Sequence, residues 1–226
     1  MPDPNIDALF LSCWDEQVAD RKKRSPSFTL DEYTATGRAP AAYGGKRSVA
    51  WWLDNGPAMV ESWVKWRAET DWDFWEPVPE EPAIELEINA VFPNDINVKM
   101  VIDRVFVMPS GELAVLDLKS GRIPESQMQL GLYASGIELG YGEVMRPKWG
   151  YWWNPDKGAV GPYDLDRWTP AVFGELFKEA INSINAGQFI PKPNNGCQNW
   201  CGVARYCHAV GGELAKNHDP LSQLSS

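Results

Sequence analysis

The sequence predicts an α/β fold in which a mixed central β-sheet is flanked by helices. Three observations lead to this: helical patterns lie toward both ends of the chain, three strand-like runs follow one another in the middle, and a helix then leads to a further strand. The step from strand through helix to strand predicts a right-handed crossover. We therefore expect a sheet in which the crossover helix lies on one face and leads to a strand that extends the β-meander.

Four helices are predicted, spanning residues 6–24, 48–69, 124–139 and 169–186. The second is expected to break at Gly56-Pro57, because proline removes a backbone donor inside a helix. The third carries Pro124 in its first turn and Gly140 just past its end, which are favoured places for these residues. Residues 26–47, with their Pro, Gly and Ser, indicate a loop.

The predicted strands cover residues 83–92, 97–108, 112–119 and 143–153. The length fits a single domain, 1–226, with a core at about 48–153. The helix at 6–24 and the C-terminal part at 169–210 form a subregion outside that core.

Composition predicts a soluble, cytoplasmic protein with no membrane contact. The chain has 226 residues and is 44% hydrophobic, which is enough for a real core. Acidic residues such as Asp3 and Asp7 exclude a signal peptide, and no window approaches the roughly 18 uninterrupted apolar residues of a membrane helix.

The formal charge of −10 argues against a general nucleic-acid binder, but it is unevenly distributed. No Lys or Arg occurs between residues 69 and 98, whereas a basic run closes the first helix. This run is a candidate DNA contact, although such runs taken alone usually indicate solvated surface. It consists of Arg21, Lys22, Lys23 and Arg24.

The stretch "MPSGE" between the second and third strands predicts a hairpin with a three-residue loop. Pro109 and Ser110 suit the central positions of a type I turn, and Gly111 supplies the left-handed residue that closes the loop with a bulge. In this arrangement Met108 pairs with Glu112.

Counting back along both strands places Asp103 opposite Asp117, with Lys119 on the same face. Two like charges facing each other are destabilising, so the arrangement predicts a divalent cation such as Mg²⁺ or Mn²⁺ between them. The alternative is a salt-bridged pair neutralised by Lys119 or Arg104, although Arg104 is expected on the opposite face.

A third carboxylate ligand is sought on the first strand, "AIELEINAVF". Glu85 and Glu87 share one face there, and Glu85 is the preferred ligand. The alternative is that both are charges that keep an edge strand soluble.

The runs "IDRV", "LDLKSG" and "QLGLY" resemble, in this order, the RecB-like branch of the PD-(D/E)XK nuclease superfamily. The resemblance covers residues 48–153 and implies a restriction-endonuclease-like core. It implies that Asp103 and Asp117 bind metal, and that Lys119 positions the attacking water. The resemblance also implies that Gln129 and Tyr133 face the DNA and the catalytic groups.

One departure concerns the histidine that many relatives carry on the preceding helix. Here that stretch reads "NGPAMVESW", and Glu61 is its nearest metal-capable residue. Whether one or two metals bind is left open.

The four cysteines are Cys13, Cys197, Cys201 and Cys207, and the last three form C-x3-C-x5-C. Clustered cysteines in an intracellular chain favour a metal over a disulfide, and four thiolates suit zinc or an iron–sulfur cluster; the alternative is four unrelated thiols. One cysteine before the core and three after it resemble the iron–sulfur nucleases of this branch, which include CRISPR adaptation nucleases and parts of helicase–nucleases. The resemblance favours a structural [4Fe–4S] cluster over zinc, joining the two ends of the chain.

The resemblance implies a Mg²⁺- or Mn²⁺-dependent DNA exonuclease that acts in recombination, repair or the processing of DNA ends. Its expected partners are single-stranded or duplex DNA ends and a recombination or helicase protein. Two alternatives remain open: a non-catalytic DNA-binding or adaptor module of the same fold, and a zinc-stapled structural protein.

Overall fold

The structure of the chain is a computed structural model that describes residues 6–30, 39–45, 47–188, 197, 201 and 204–214. The chain divides into two compact units, Met1–Glu175 and Leu176–Ser226. Parts of the predicted loop at 26–47 and of the C-terminal region up to 210 lie outside the described residues. Within the described part of the chain, no helix has both the length and the hydropathy needed to cross a bilayer.

The main elements alternate as the sequence predicts. The helices are α1 (Ile6–Arg24), α2 (Val49–Glu69), α3 (Met128–Tyr141) and α4 (Pro170–Asn185). The strands are β1 (Asp73–Phe74), β2 (Ile84–Phe92), β3 (Ile96–Val107), β4 (Leu113–Leu118), β5 (Trp149–Asn154) and β6 (Gly158–Asp164).

The six strands form one mixed sheet in the order β1, β3, β4, β5, β6, with β2 also paired to β3. Strands β2, β3 and β4 form an antiparallel meander, and β6 is antiparallel to β5. Helix α3 carries the chain from β4 to β5, which is parallel to β4. The predicted α/β fold with a mixed sheet and flanking helices is confirmed.

The predicted break in α2 is wrong, because the helix runs unbroken through Gly56 and Pro57. Proline removes the bond to the carbonyl four residues earlier, that of Leu53, which is an exposed residue. Gly56 is buried, and a β-carbon there would lie 2.2 Å from the ring of Phe10. Close packing of α1 against this glycine explains why a residue without a side chain stands at position 56.

The third predicted helix is displaced toward the C-terminus. It begins at Met128, whose N–H donates to the Ser126 hydroxyl at 3.2 Å, rather than near Pro124. It passes through Gly140 and ends at Tyr141. The next residue, Gly142, has φ +97° and donates its N–H to the Glu138 carbonyl at 2.9 Å.

The last predicted strand starts later than expected, at Trp149, because a 3-10 turn occupies Glu143–Met145. Two strands were not predicted. β1 has only two residues, and β6 contains Gly158, Gly161 and Pro162, which are turn signals in a sequence. At the edge of a sheet such residues are tolerated, since an edge strand leaves one side of its backbone unpaired.

The two faces of the sheet pack against different helices. On one face Phe106, Leu116 and Trp153 belong to an aromatic cluster that Trp63 and Trp66 of α2 cover. On the other face lies α3, which approaches so closely that a β-carbon at Gly136 would lie 2.4 Å from the sulfur of Met100. Strand β4, between β3 and β5, is therefore covered on both sides.

The hairpin between β3 and β4 has the predicted register. Met108 donates its N–H to the Glu112 carbonyl at 2.9 Å, Gly111 donates to Met108 at 2.8 Å, and Gly111 has φ +83°. The ladder then continues to the pair Arg104 and Leu116. The same count puts Asp103 opposite Asp117, one position beyond the last pair.

Glu112 anchors this hairpin to β5 and provides a pH test of the fold. Its carboxylate accepts bonds from Lys148 and Trp149, both at 2.9 Å, and these partners together with Ser110 lower its pKa to about 2. An unfolded glutamate titrates near pH 4.3. The stabilisation is therefore complete above pH ~4.3 and is lost as the pH falls toward 2.

We expect Glu112→Gln to be less stable than the native chain at pH 7 in urea unfolding, and the difference to shrink as the pH falls below about 4.3. Glu125→Gln is the control, because the Glu125 side chain is 85% exposed. A difference that stays constant with pH would contradict the assignment.

Candidate active site

The candidate site lies where β3 separates from β4. Beyond the pair of Arg104 and Leu116, the Asp103 side chain takes the place of a backbone acceptor, and its Oδ2 accepts the Leu118 N–H at 2.7 Å. The carboxylate therefore closes the gap that opens between the two strands. This fixes Asp103 beside the end of β4.

Asp117 is the centre of a network that α3 contributes to. The residue is 2% exposed, and its Oδ1 accepts bonds from Gln129 Nε2 at 2.7 Å and from the Tyr133 hydroxyl at 3.3 Å. Its Oδ2 forms an ion pair with Lys119 Nζ. Residues four apart share a helix face, which is why Gln129 and Tyr133 reach the same carboxylate.

Gln129 also holds the lysine. Its Oε1 accepts from Lys119 Nζ at 3.3 Å, while its Nε2 donates to Asp117 and, at 2.7 Å, to the Tyr133 oxygen. Lys119 further lies 5.1 Å above the ring of Trp152. Contacts on several sides thus restrict the ammonium to one place.

Burial and charge shift the titration of two of these groups. Burial raises the pKa of the Asp117 carboxyl; the Lys119 ammonium lowers it, and the Asp103 carboxylate raises it further. Burial, with the Asp117 and Asp103 carboxylates, also raises the pKa of Tyr133 to about 12, against a lowering effect of Gln129. The phenol is therefore a neutral donor at physiological pH.

The donor set at this point suits a hard divalent cation. Asp117 Oδ2 is buried, and the contact that the structure gives it is the Lys119 ammonium. A second carboxylate, Asp103, lies close enough to raise the Asp117 pKa. Carboxylate oxygens are the ligands that Mg²⁺ and Mn²⁺ prefer, so these two residues fit such an ion.

The two other proposed ligands, Glu85 and Glu61, belong to β2 and α2. Glu85, at an irregular point of β2 with φ +50°, accepts from Arg104 Nη1 at 3.1 Å. Arg104 lies 5.8 Å over the ring of Trp63 on the face covered by α2, as the sequence predicts. Glu61 is an exposed residue of α2. Both assignments as metal ligands stay predictions.

The basic run and the cysteines are placed as follows. Arg21, Lys22, Lys23 and Arg24 form the last turn of α1, and Arg24 pairs with Asp20. Cys13 is exposed on α1, whereas the other three cysteines, Cys197, Cys201 and Cys207, belong to the second unit. In the described residues, no group of three or more His, Cys, Asp or Glu side chains is gathered as a metal site.

Two residues that the sequence did not indicate hold the loop after Lys119. The Asn154 side chain donates to the carbonyls of Lys119 at 3.0 Å and Gly121 at 2.9 Å, and Arg47 Nη1 donates to the Ser120 carbonyl at 2.5 Å. Three consecutive carbonyls are therefore tied to side chains from other elements.

A signal for Asn154 exists in the sequence. It ends the apolar run "GYWW", and β5 is parallel to β4 with Trp153 beside Leu118. The carboxyl ends of parallel strands meet at one edge of a sheet, so a polar residue after β5 lies beside the residue after β4.

We expect Asn154→Ala to lower the free energy of unfolding by about 1–3 kcal/mol, because the change removes two hydrogen bonds, to the carbonyls of Lys119 and Gly121. Asn154 is 6% exposed, and urea unfolding measures the change. Asn55→Ala is the control. It removes one hydrogen bond, from the Asn55 side-chain amide to the Trp51 carbonyl in α2, so a smaller loss of stability is expected. Equal losses in the two variants would show that the loop does not depend on Asn154.

Comparisons with known proteins give the family of the chain and two relatives. The chain is 34% identical over 170 residues to the Gene 69 protein of Mycobacterium phage D29, and 31% identical over 189 residues to that of Mycobacterium phage L5. Each alignment covers 73% of this chain, and the chain spans 62% and 64% of the length of these relatives. The family model of the PD-(D/E)XK nuclease superfamily matches residues 6–208, so the chain belongs to the PD-(D/E)XK nuclease superfamily.

Proposed function

We propose that this chain is a metal-dependent deoxyribonuclease that hydrolyses phosphodiester bonds. The observation that carries the proposal is the lysine held against Asp117 and Gln129, with Asp103 opposite Asp117 at the mouth of the β3–β4 gap. Members of this superfamily typically use Mg²⁺ or Mn²⁺ and bind DNA. The two carboxylates fit such an ion.

The residues have separate roles in this mechanism. Asp103 and Asp117 would hold the cation, which when bound lowers the pKa of water and offsets charge on phosphate oxygens. Lys119, a compact cation, orients the attacking water or neutralises the charge that develops on the phosphate. Gln129 keeps Lys119 in place, and Tyr133 stays protonated so that it donates to Asp117.

We propose further that the enzyme is an exonuclease that works on DNA ends in recombination or repair, with a helicase or recombination protein as partner. The support is the resemblance of "IDRV", "LDLKSG" and "QLGLY" to the RecB-like branch. The basic run at the end of α1 is the proposed DNA contact. Glu85 and Glu61 are the proposed additional metal ligands.

The test is a cleavage assay with end-labelled single-stranded and duplex DNA in Mn²⁺ or Mg²⁺. We expect linear DNA to be degraded, covalently closed circles to survive, and chelator to stop the reaction. Cleavage of circles would refute the exonuclease assignment. A chain that binds DNA but cuts none of these substrates would be the non-catalytic module.

A structural [4Fe–4S] cluster on Cys13, Cys197, Cys201 and Cys207 is a separate proposal. Its support is the layout of one cysteine before the core and three after it, which resembles that of iron–sulfur nucleases, although the C-x3-C-x5-C spacing has one residue more than is usual there. The arrangement of the described residues lends it no support. We expect anaerobically purified protein to be brown, and Cys13→Ala to lose the visible absorbance. A colourless native protein, or a variant with a full cluster, would refute the assignment.

A further inference from the structure

An open cleft of about 320 Å³ lies on the α2 side of the sheet, directly beside the candidate site. Its walls are largely apolar and include Met59 and Trp63 of α2 and Trp153 of β5. Arg104 and Lys119 also line it. Lys119 thus belongs both to the network around Asp117 and to the wall of the cleft.

The tryptophans and cations in the walls suit a ligand that combines a flat aromatic group with an anion. Trp63 and Trp153 meet at 86°, with ring centroids 5.1 Å apart, which forms an aromatic corner. Arg104 is 5.8 Å from the Trp63 centroid, near the outer limit of a cation–π contact, and an ion pair with Glu85 holds it. Two cations therefore stand beside an aromatic surface.

The size of the cleft favours an unpaired base over a base in a duplex. Ligand pockets run from about 300 to 1,000 Å³, so this cleft is at the small end of the range. One unstacked base fits in such a volume, whereas a base in a duplex stays stacked and paired unless that structure is broken. Aromatic surfaces bind unpaired bases regardless of sequence.

We propose that the cleft, through Trp63 and Trp153, binds one unpaired nucleobase of single-stranded DNA next to the phosphate that Lys119 faces. The inference deepens the proposed function and rests on it for the position of that phosphate. It makes single-stranded DNA, including the unpaired end of a duplex, the preferred substrate. The cleft binds any of the bases, without sequence preference.

The test compares short fluorescent oligothymidylate with a chain of the same length whose residues are all abasic, in chelator so that neither is cut. We expect the native chain to bind the abasic chain more weakly. In Trp63→Leu, affinity for oligothymidylate falls by about 5- to 100-fold, and the gap between the two ligands narrows. Affinity for the abasic chain stays the same, because its phosphates keep their contacts.

Trp66→Leu is the matched control, since Trp66 lies on the same helix and in the same aromatic cluster but is not part of the cleft wall. It should keep both affinities. Equal affinity of the native chain for the two ligands would overturn the proposal, and this measurement needs no variant to fold. Unchanged binding in Trp63→Leu would overturn it as well.

The cleavage assay separates this outcome from that of the proposed function. A chain that cuts DNA but binds abasic and base-containing strands equally retains the nuclease function and loses the base site. A chain that prefers bases through Trp63 but cuts nothing retains the base site and loses the nuclease function.

Discussion

Lys119→Ala should reduce the rate of DNA cleavage by at least about 100-fold. Removal of a single group that stabilises charge in the transition state typically slows a reaction by this factor or more. The Lys119 ammonium is restrained by Asp117, Gln129 and the Trp152 ring. Binding of DNA should remain nearly intact, because many phosphate contacts supply affinity and this variant removes one cation. Single-turnover cleavage and anisotropy measure the two effects separately.

The variant also has a readout that does not depend on activity. Removing Lys119 leaves the buried Asp117 carboxylate without its cation, so we expect Mn²⁺ to stabilise the variant against heat at least as much as it stabilises the native chain. Lys148→Ala is the control, because Lys148 pairs with Glu112 at the hairpin end of the sheet. An unchanged cleavage rate in Lys119→Ala would defeat the assignment of the lysine.

The sequence predicts those parts of the site that depend only on residues close together along the chain. One glycine with positive φ in a five-residue turn sets the register of β3 and β4, and the register sets which aspartate faces which. The i,i+4 spacing of Gln129 and Tyr133 brings both to Asp117 through helix geometry alone. No distant part of the chain is needed for either result.

What sequence could not supply depends on tertiary packing. The need for a glycine at position 56 follows from the packing of α1 on α2, and the position of Asn154 follows from the pairing of β5 beside β4. Likewise, the pairing of Glu85 with Arg104 follows from an irregular φ in β2 that alternation does not predict. The role of each of these residues depends on which helices and strands are neighbours, and the sequence does not give that.

Asp103→Asn should abolish cleavage and yet leave the metal-free chain as stable as the native one, or more so by about 0.2–1 kcal/mol. An asparagine carbonyl can still accept the Leu118 N–H, so the gap between β3 and β4 stays closed. What is lost is a negative charge facing the buried Asp117, whose pKa that charge helps to raise. Like charges opposite each other destabilise a sheet, and an active site retains them for function.

The measurement is thermal unfolding in chelator and across a Mn²⁺ series. In the native chain, Mn²⁺ at a hundred times its dissociation constant should add about 2.7 kcal/mol, whereas Asp103→Asn should gain little. Glu87→Gln is the control, since it neutralises an exposed carboxylate of the same sheet that pairs with Lys99. If Asp103→Asn responds to Mn²⁺ as the native chain does, the carboxylate is not a ligand. If it melts well below the native chain in chelator, the two aspartates do not repel each other, and a cation is not needed to explain why they stand face to face.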